Sequence, residues 1–240
     1  MRAVGLGEPS ANVPRALSVE ARDMLTLSAN IFVGRLVVDQ NGDATKSATT
    51  FIYSPRPGSH FLVTNAHVLH GASRLRLVAG SLGSRSINLE AELTIVGNEG
   101  TSQGDLAAVE LDAIPEFRDQ LRRLAPAALE HATPILATSL PAGTPVVSLG
   151  YPSPAEPGGY NLTRMTGTVS PLAPDDGDLE GIEMILDMEA QEGASGSPVI
   201  HEAEGVSYLV GVMSSGCDGI ERKGSWSVAI KASALTNLVH

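Results

Sequence analysis

The chain has 240 residues, of which 42% are apolar and 18% charged, a composition that builds a packed core and excludes a disordered protein. Its formal net charge of −11 suits neither a nucleic-acid backbone nor an anionic membrane surface, so neither is expected as a partner. No apolar run approaches the ~20 residues that span a bilayer. With one cysteine, Cys217, there is no internal disulfide, and a reducing compartment is compatible. The N-terminal stretch lacks the apolar centre of a signal peptide, so the expected location is cytoplasmic, or secreted where a signal has been removed.

Residues 1–17 read as a Pro-containing arm. Ser18 is an N-cap for a short helix from Val19 to Ser28, with Ala21, Met24 and Leu25 on one face. Strands follow. Ile31 to Val38 is the first, and Asn41-Gly42 is a hairpin turn signal. Thr49 to Tyr53, Phe61 to Thr64, Leu75 to Val78, Ser86 to Leu89 and Leu93 to Val96 come next. Leu106 to Leu111 alternates only loosely but is compatible with a strand. Glu116 to Leu129, rich in Arg, Leu and Ala, breaks the pattern and reads as a helical or irregular connector. Strands resume at Thr144 to Leu149, Leu162 to Val169, Ile182 to Met188, Pro198 to His201, Tyr208 to Met213 and Trp226 to Ile230. Ala232 to Val239 suits a closing helix. The 25 glycines and 15 prolines supply the turns that so many short strands require. The pattern is all-β, a barrel or a sandwich, because the helices that an α/β fold places between strands are missing.

Three segments carry chemistry. Thr64-Asn65-Ala66-His67-Val68 ends an apolar strand, Gly104-Asp105-Leu106-Ala107 opens another, and Gly193-Ala194-Ser195-Gly196-Ser197-Pro198 precedes a third. A serine hydroxyl is a weak nucleophile until a base removes its proton, and a neutral imidazole suits that task near neutral pH. A carboxylate on the other ring nitrogen fixes the tautomer. Glycines beside the serine let backbone N–H groups turn toward a developing oxyanion. Read singly, His67 is an ordinary histidine, Asp105 a turn residue and Ser195 part of a tight loop. Asp43 and Asp112 compete with Asp105, but neither precedes an apolar strand as Asp105 does.

These segments together resemble the trypsin-like, chymotrypsin-fold serine peptidases. The style is that of the disulfide-free bacterial branch with the HtrA-type and glutamyl endopeptidases. The likeness runs from about Ile31 to Val239 and includes Gly211-Val212-Met213-Ser214-Ser215-Gly216 and Ser227-Val228-Ala229-Ile230 before the last helix. It implies two six-stranded antiparallel β-barrels. The expected division is an arm and helix over 1–28, a first barrel over 29–115, a connector over 116–142 and a second barrel with its helix over 143–240. It implies a serine endopeptidase in which Ser195 is the nucleophile, His67 the general base and Asp105 its orienter. Gly193 and Ser195 would supply the oxyanion hole. Ser214 would support the aspartate, and Ser214, Ser215 and Gly216 would pair with the substrate backbone.

The chain also departs from the family. Ala194 stands where members usually carry Asp or Asn, so a switch that uses an acid there cannot operate. The chain is then either active as made or switched in another way. Glu189, six residues before Ser195, matches an acid at the base of a pocket selective for Arg or Lys, whereas Trp226 would wall that pocket and favour small side chains. Met213 replaces the histidine of glutamyl endopeptidases, which counts against an acidic preference. A peptide or protein substrate is expected, with a regulatory protein partner where activity is switched. No cofactor is implied and no metal site is expected, since His67 and His70 lack the H-E-x-x-H context. The competing reading is a latent or inactive protease that acts as a peptide- or partner-binding module.

Overall fold

The computed structural model describes residues 31–40, 44–78, 86–89, 95–96, 104–124, 129, 135–137, 140–153, 160–171, 181–214 and 226–239. The expected N-terminal arm and helix, the Asn41-Gly42 turn and Cys217 lie outside them. In chain order the first half holds β1 (Val33–Gln40), β2 (Ala44–Arg56), β3 (Ser59–Thr64), a four-residue helix α1 (Ala66–Leu69) and β4 (Ala72–Val78). It continues with β5 (Ser86–Leu89), β6 (Ile95–Val96) and β7 (Ala107–Glu110). Helix α2 (Pro115–Leu124) leads to the second half, which holds β8 (Ile135–Leu136), β9 (Pro145–Gly150) and β10 (Thr163–Val169). It ends with β11 (Glu183–Asp187), β12 (Pro198–Ala203), β13 (Val206–Ser214), β14 (Ser227–Lys231) and α3 (Ser233–Leu238).

The first seven strands form one sheet in the order β5-β4-β1-β2-β3-β7-β6. The second sheet runs β12-β9-β10-β11-β14-β13-β8, and β12 also pairs with β13. That extra pairing closes β9, β10, β11, β14, β13 and β12 into a six-stranded ring, which removes every edge within it. The expected pair of six-stranded barrels is therefore realised as one closed ring and one curled seven-stranded sheet whose end strands β5 and β6 do not pair with each other among the described residues. This is the chymotrypsin-like arrangement. Strand β8, unexpected from the sequence, lies parallel to β13 beside Tyr208 and Leu209, on the stretch that β14 leaves uncovered.

Three apolar layers hold these sheets. Leu36, Val38, Ile52, Leu62, Leu77 and Val109 fill the first sheet's interior. Val146, Leu186, Val199, Val210 and Met213 fill the ring. A third layer draws on both sheets, with Phe51, Phe61, Val63 and Leu106 meeting Val147, Leu149, Ile200 and Ile230. Leu235 and Leu238 of α3 cover that layer. Strands that feed two layers are buried on both faces and lose the polar–apolar alternation of a half-buried strand. In β7, Ala107 and Val109 point into the first layer while Ala108, and Leu106 just before the strand, belong to the shared one, which explains the loose pattern there. Helix α2 is amphipathic. Phe117 and Leu121, four residues apart, are buried, and Arg122 and Arg123 sit in its last turn, where cations suit the helix dipole. Among the described residues no helix is long and apolar enough to cross a membrane.

Candidate active site

His67 is placed by the end of β3. Thr64 is buried and donates its hydroxyl to the carbonyl of Thr49 at 2.9 Å, and Asn65, still extended, donates its side-chain amide to the carbonyl of Asp105 at 2.8 Å. The chain then turns into α1. Ala66, Val68 and Leu69 sink into the first sheet's core, which leaves His67 partly exposed. Asp105 arrives by register. Strands β3 and β7 run antiparallel with Thr64 opposite Ala107, so the residues just after β3 and just before β7 share one end of the sheet.

Both oxygens of the Asp105 carboxylate are engaged. One oxygen accepts the His67 backbone N–H at 2.9 Å. The other lies 2.6 Å from His67 Nδ1 and accepts the Ser214 hydroxyl at 2.9 Å from the end of β13. An ionised carboxylate only accepts, so Nδ1 is the nitrogen that carries the proton facing it, and in a neutral imidazole Nε2 is then left with the lone pair. Glu183, at the start of β11, stands near this carboxylate. Burial first, and the charge of Asp105 second, raise its carboxyl above the usual range.

Ser195 lies on a loop held from both sheets. Gly193 and Gly196 adopt φ of +85° and +83°, the left-handed region that side chains rarely occupy. Space forbids side chains there as well. A Cβ on Gly193 would stand 2.8 Å from both the Tyr151 carbonyl and the Ser153 nitrogen, and one on Gly196 would collide with the Thr49 carbonyl and the Thr64 hydroxyl. The Glu192 carbonyl accepts from Ser153 N–H at 2.6 Å, and the Ser195 carbonyl from Thr49 N–H at 2.8 Å. The Gly193 carbonyl accepts the Thr49 hydroxyl at 2.9 Å. Ala194 is wholly buried and packs with Val199 and Met213 in the ring's core.

His67 and Ser195 face the same cleft, about 330 Å³, whose walls include Lys46, Tyr160, Glu192 and Gly193. The Arg35 guanidinium stacks on the Tyr160 ring at 3.2 Å and donates to the Ser47 hydroxyl at 2.7 Å. The structure thus brings His67, Asp105, Ser195, Gly193 and Ser214 to one place. Glu189 is exposed and Trp226 half-buried, and neither lines this cleft. Ser215 and Gly216 lie outside the described residues. Among the described residues no three His, Cys, Asp or Glu side chains cluster as a metal would require. Sequence reasoning missed Thr49, Ser153 and Tyr160. Thr49 was legible only as the start of a strand, because its side-chain hydroxyl contacts residues more than 100 positions away.

Three solved structures show the fold's relatives. The active form of the Rv3671c protease from M. tuberculosis superposes with a TM-score of 0.60 at 19% identity, over 98% of this chain and 92% of that one. The protease Anisep from Arthrobacter nicotinovorans gives 0.60 at 16% identity, over 86% of this chain and 92% of that one. The HtrA-type protease AlgW, with a tripeptide, gives 0.59 at 19% identity over 90% of this chain, which spans 61% of AlgW. No curated protein matches the chain. The family model of the trypsin-like peptidase domain matches residues 48–212, a span that holds His67, Asp105 and Ser195 in order, and the chain belongs to that family.

Proposed function

We propose that this protein is a serine endopeptidase that cleaves peptide bonds through an acyl-enzyme on Ser195. The observation that carries the reading is the 2.6 Å contact between His67 Nδ1 and Asp105, made by a histidine that shares its cleft with Ser195. That contact selects the tautomer whose Nε2 accepts a proton, the state a general base needs.

In this reading the Ser195 hydroxyl proton passes to His67 Nε2 as Oγ bonds to the substrate carbonyl carbon. The carbonyl electron pair moves onto oxygen. The oxyanion collapses, the C–N bond breaks, and the amine leaves with the proton from His67. A water then attacks the acyl ester and gives a proton to His67; the second oxyanion collapses, the Oγ–C bond breaks, and Ser195 Oγ takes that proton back as the acid leaves. Asp105 stabilises the imidazolium formed in each half. The oxyanion donors would be the N–H groups of Gly193 and Ser195. The trans peptide between Glu192 and Gly193 supports this for Gly193: its carbonyl is tied to Ser153, so its N–H points the opposite way. AlgW holds a tripeptide in its structure, and a peptide substrate is the class we propose here, with Ser214, Ser215 and Gly216 as its backbone partners.

The test is labelling with a fluorophosphonate probe, which reacts with activated serines. Wild type is expected to label and Ser195→Ala to stay blank. A folded wild type that does not label would exclude an activated serine and favour the peptide-binding module.

A further inference from the structure

We infer that Thr49, on the first sheet, is a positioning residue that holds the Ser195 loop in its reactive shape, the task that Ala194 cannot perform. This rests on the peptidase reading above. Thr49 is wholly buried, yet its polar groups all find partners. Its hydroxyl donates to the Gly193 carbonyl at 2.9 Å and accepts the Tyr151 N–H at 2.8 Å. Its own N–H donates to the Ser195 carbonyl at 2.8 Å, and its carbonyl accepts the Thr64 hydroxyl at 2.9 Å. One residue therefore ties the carbonyls on both sides of Ala194, the strand end that leads to Ser153, and the strand end that leads to His67.

The consequence for the loop is directional. Each peptide plane has its C=O and N–H on opposite sides, so fixing a carbonyl aims the amide across from it. The Thr49 hydroxyl fixes the Gly193 carbonyl, and the opposed Ala194 N–H turns inward to the Gln191 carbonyl at 3.0 Å. Ser153 fixes the Glu192 carbonyl at 2.6 Å and so opposes it to the Gly193 N–H. Tyr151, whose N–H is tied to Thr49, sits two residues before Ser153, so the same hydroxyl also anchors this second clamp. An acid at position 194 could brace the loop with an ion pair. Here a buried methyl packs the loop onto the ring, and the threonine ties it to the other sheet. A brace made only of neutral groups, each supplied by the folded chain itself, needs no freed amine or other charge to arrive. The loop is set when the two sheets dock.

The experiment compares the full chain with Thr49→Val, which keeps shape and loses the hydroxyl, and Thr49→Ser, which keeps the hydroxyl and loses the methyl. Turnover of p-nitrophenyl acetate and amide hydrogen exchange across residues 191–197 are both read. The valine variant is expected to lose about 10- to 100-fold in kcat, less than the loss of an oxyanion donor itself, with KM moving by less than about threefold. Its exchange across 191–197 is expected to quicken, while the serine variant stays within about threefold of wild type in kcat. Wild-type kcat and exchange in the valine variant would overturn the inference, as would a serine variant as impaired as the valine one. If the valine variant does not fold, Thr49→Cys, whose thiol is a weak donor, is read in the same way. A wild type that fails to turn over the ester would count against the peptidase reading alone. The exchange comparison would still decide whether the Thr49 hydroxyl holds the loop.

Discussion

The two halves of the cleft are built differently. The corner that carries His67 and Asp105 is assembled within one sheet, from residues 38 positions apart brought together by the β3–β7 ladder. The Ser195 loop is set across sheets, by a threonine 144 positions from Gly193, a strand end 102 positions from that threonine, and a methyl buried in the ring. The first sheet can therefore arrange its half by pairing its own strands. The loop is complete only once the shared apolar layer has formed, because one of its clamps, Thr49, comes from the opposite side of that layer. Ser214 makes one reverse link, from the ring to the Asp105 carboxylate. Docking of the sheets thus completes the site as well as the core.

The largest effect should come from breaking the corner chemically without disturbing its packing. Asp105→Asn keeps the side chain's shape but can donate to Nδ1, which selects the wrong tautomer. A fall of roughly 10⁴-fold in kcat is expected, with an unchanged melting temperature. A loss below tenfold in steady-state assays would remove Asp105 from the proposed role. The loop is broken differently. Gly193→Ala forces a left-handed residue and a Cβ 2.8 Å from two backbone atoms, so the clamps must open. About 10²- to 10³-fold in kcat should be lost, as for a missing oxyanion donor. Its melting temperature should also fall, unlike that of the Asp105 variant. Equal stability in the two variants would contradict the contrast drawn between corner and loop.

The smallest effect sharpens the comparison through charge. Burial and Asp105 raise the Glu183 carboxyl in the folded chain. The folded state then holds that proton more tightly than the unfolded state. Stability falls as pH rises from the unfolded value through the folded one, and the ionised group destabilises above both. Glu183→Gln should raise the melting temperature at pH 7 by about a degree, since solvent screens a partly exposed carboxyl. The gap should close at low pH, where Glu183 is itself neutral. A gap that is the same at every pH would point to packing instead of charge.

Much of this was legible locally. The strand at Ser86–Leu89 matches its expected span, and the closing helix lies within the expected Ala232 to Val239. The segments around His67, Asp105 and Ser195 stood out because each joins a strand end to residues with a chemical task. Strand β8 escaped because two residues beside a proline carry no period. Helix α1 escaped because a single turn gives no amphipathic pattern, and its identity depends on Ala66, Val68 and Leu69 finding the core. The fully buried Thr49 and Thr50 read as ordinary strand threonines. Yet Thr49 faces the Ser195 loop, while Thr50 donates to Val63 within its own sheet at 2.7 Å.

By itself the sequence determined that the chain is all-β, where most strands fall, and that a histidine, an acid and a serine stand in an order that one family uses. Strand propensity, turn residues and apolar runs are local signals, and they survive in a linear reading. The tertiary structure alone decided that one sheet closes and the other curls, that Leu106 and Phe51 serve a shared layer, and that Thr49 ties the carbonyls on both sides of Ala194. Those outcomes rest on strand pairing and packing between segments well separated in the chain and, for the Ser195 loop, on hydrogen bonds across more than 100 positions. Such contacts leave no periodicity in the chain, because their free energy appears only when both sheets are present to exclude water from the groups between them.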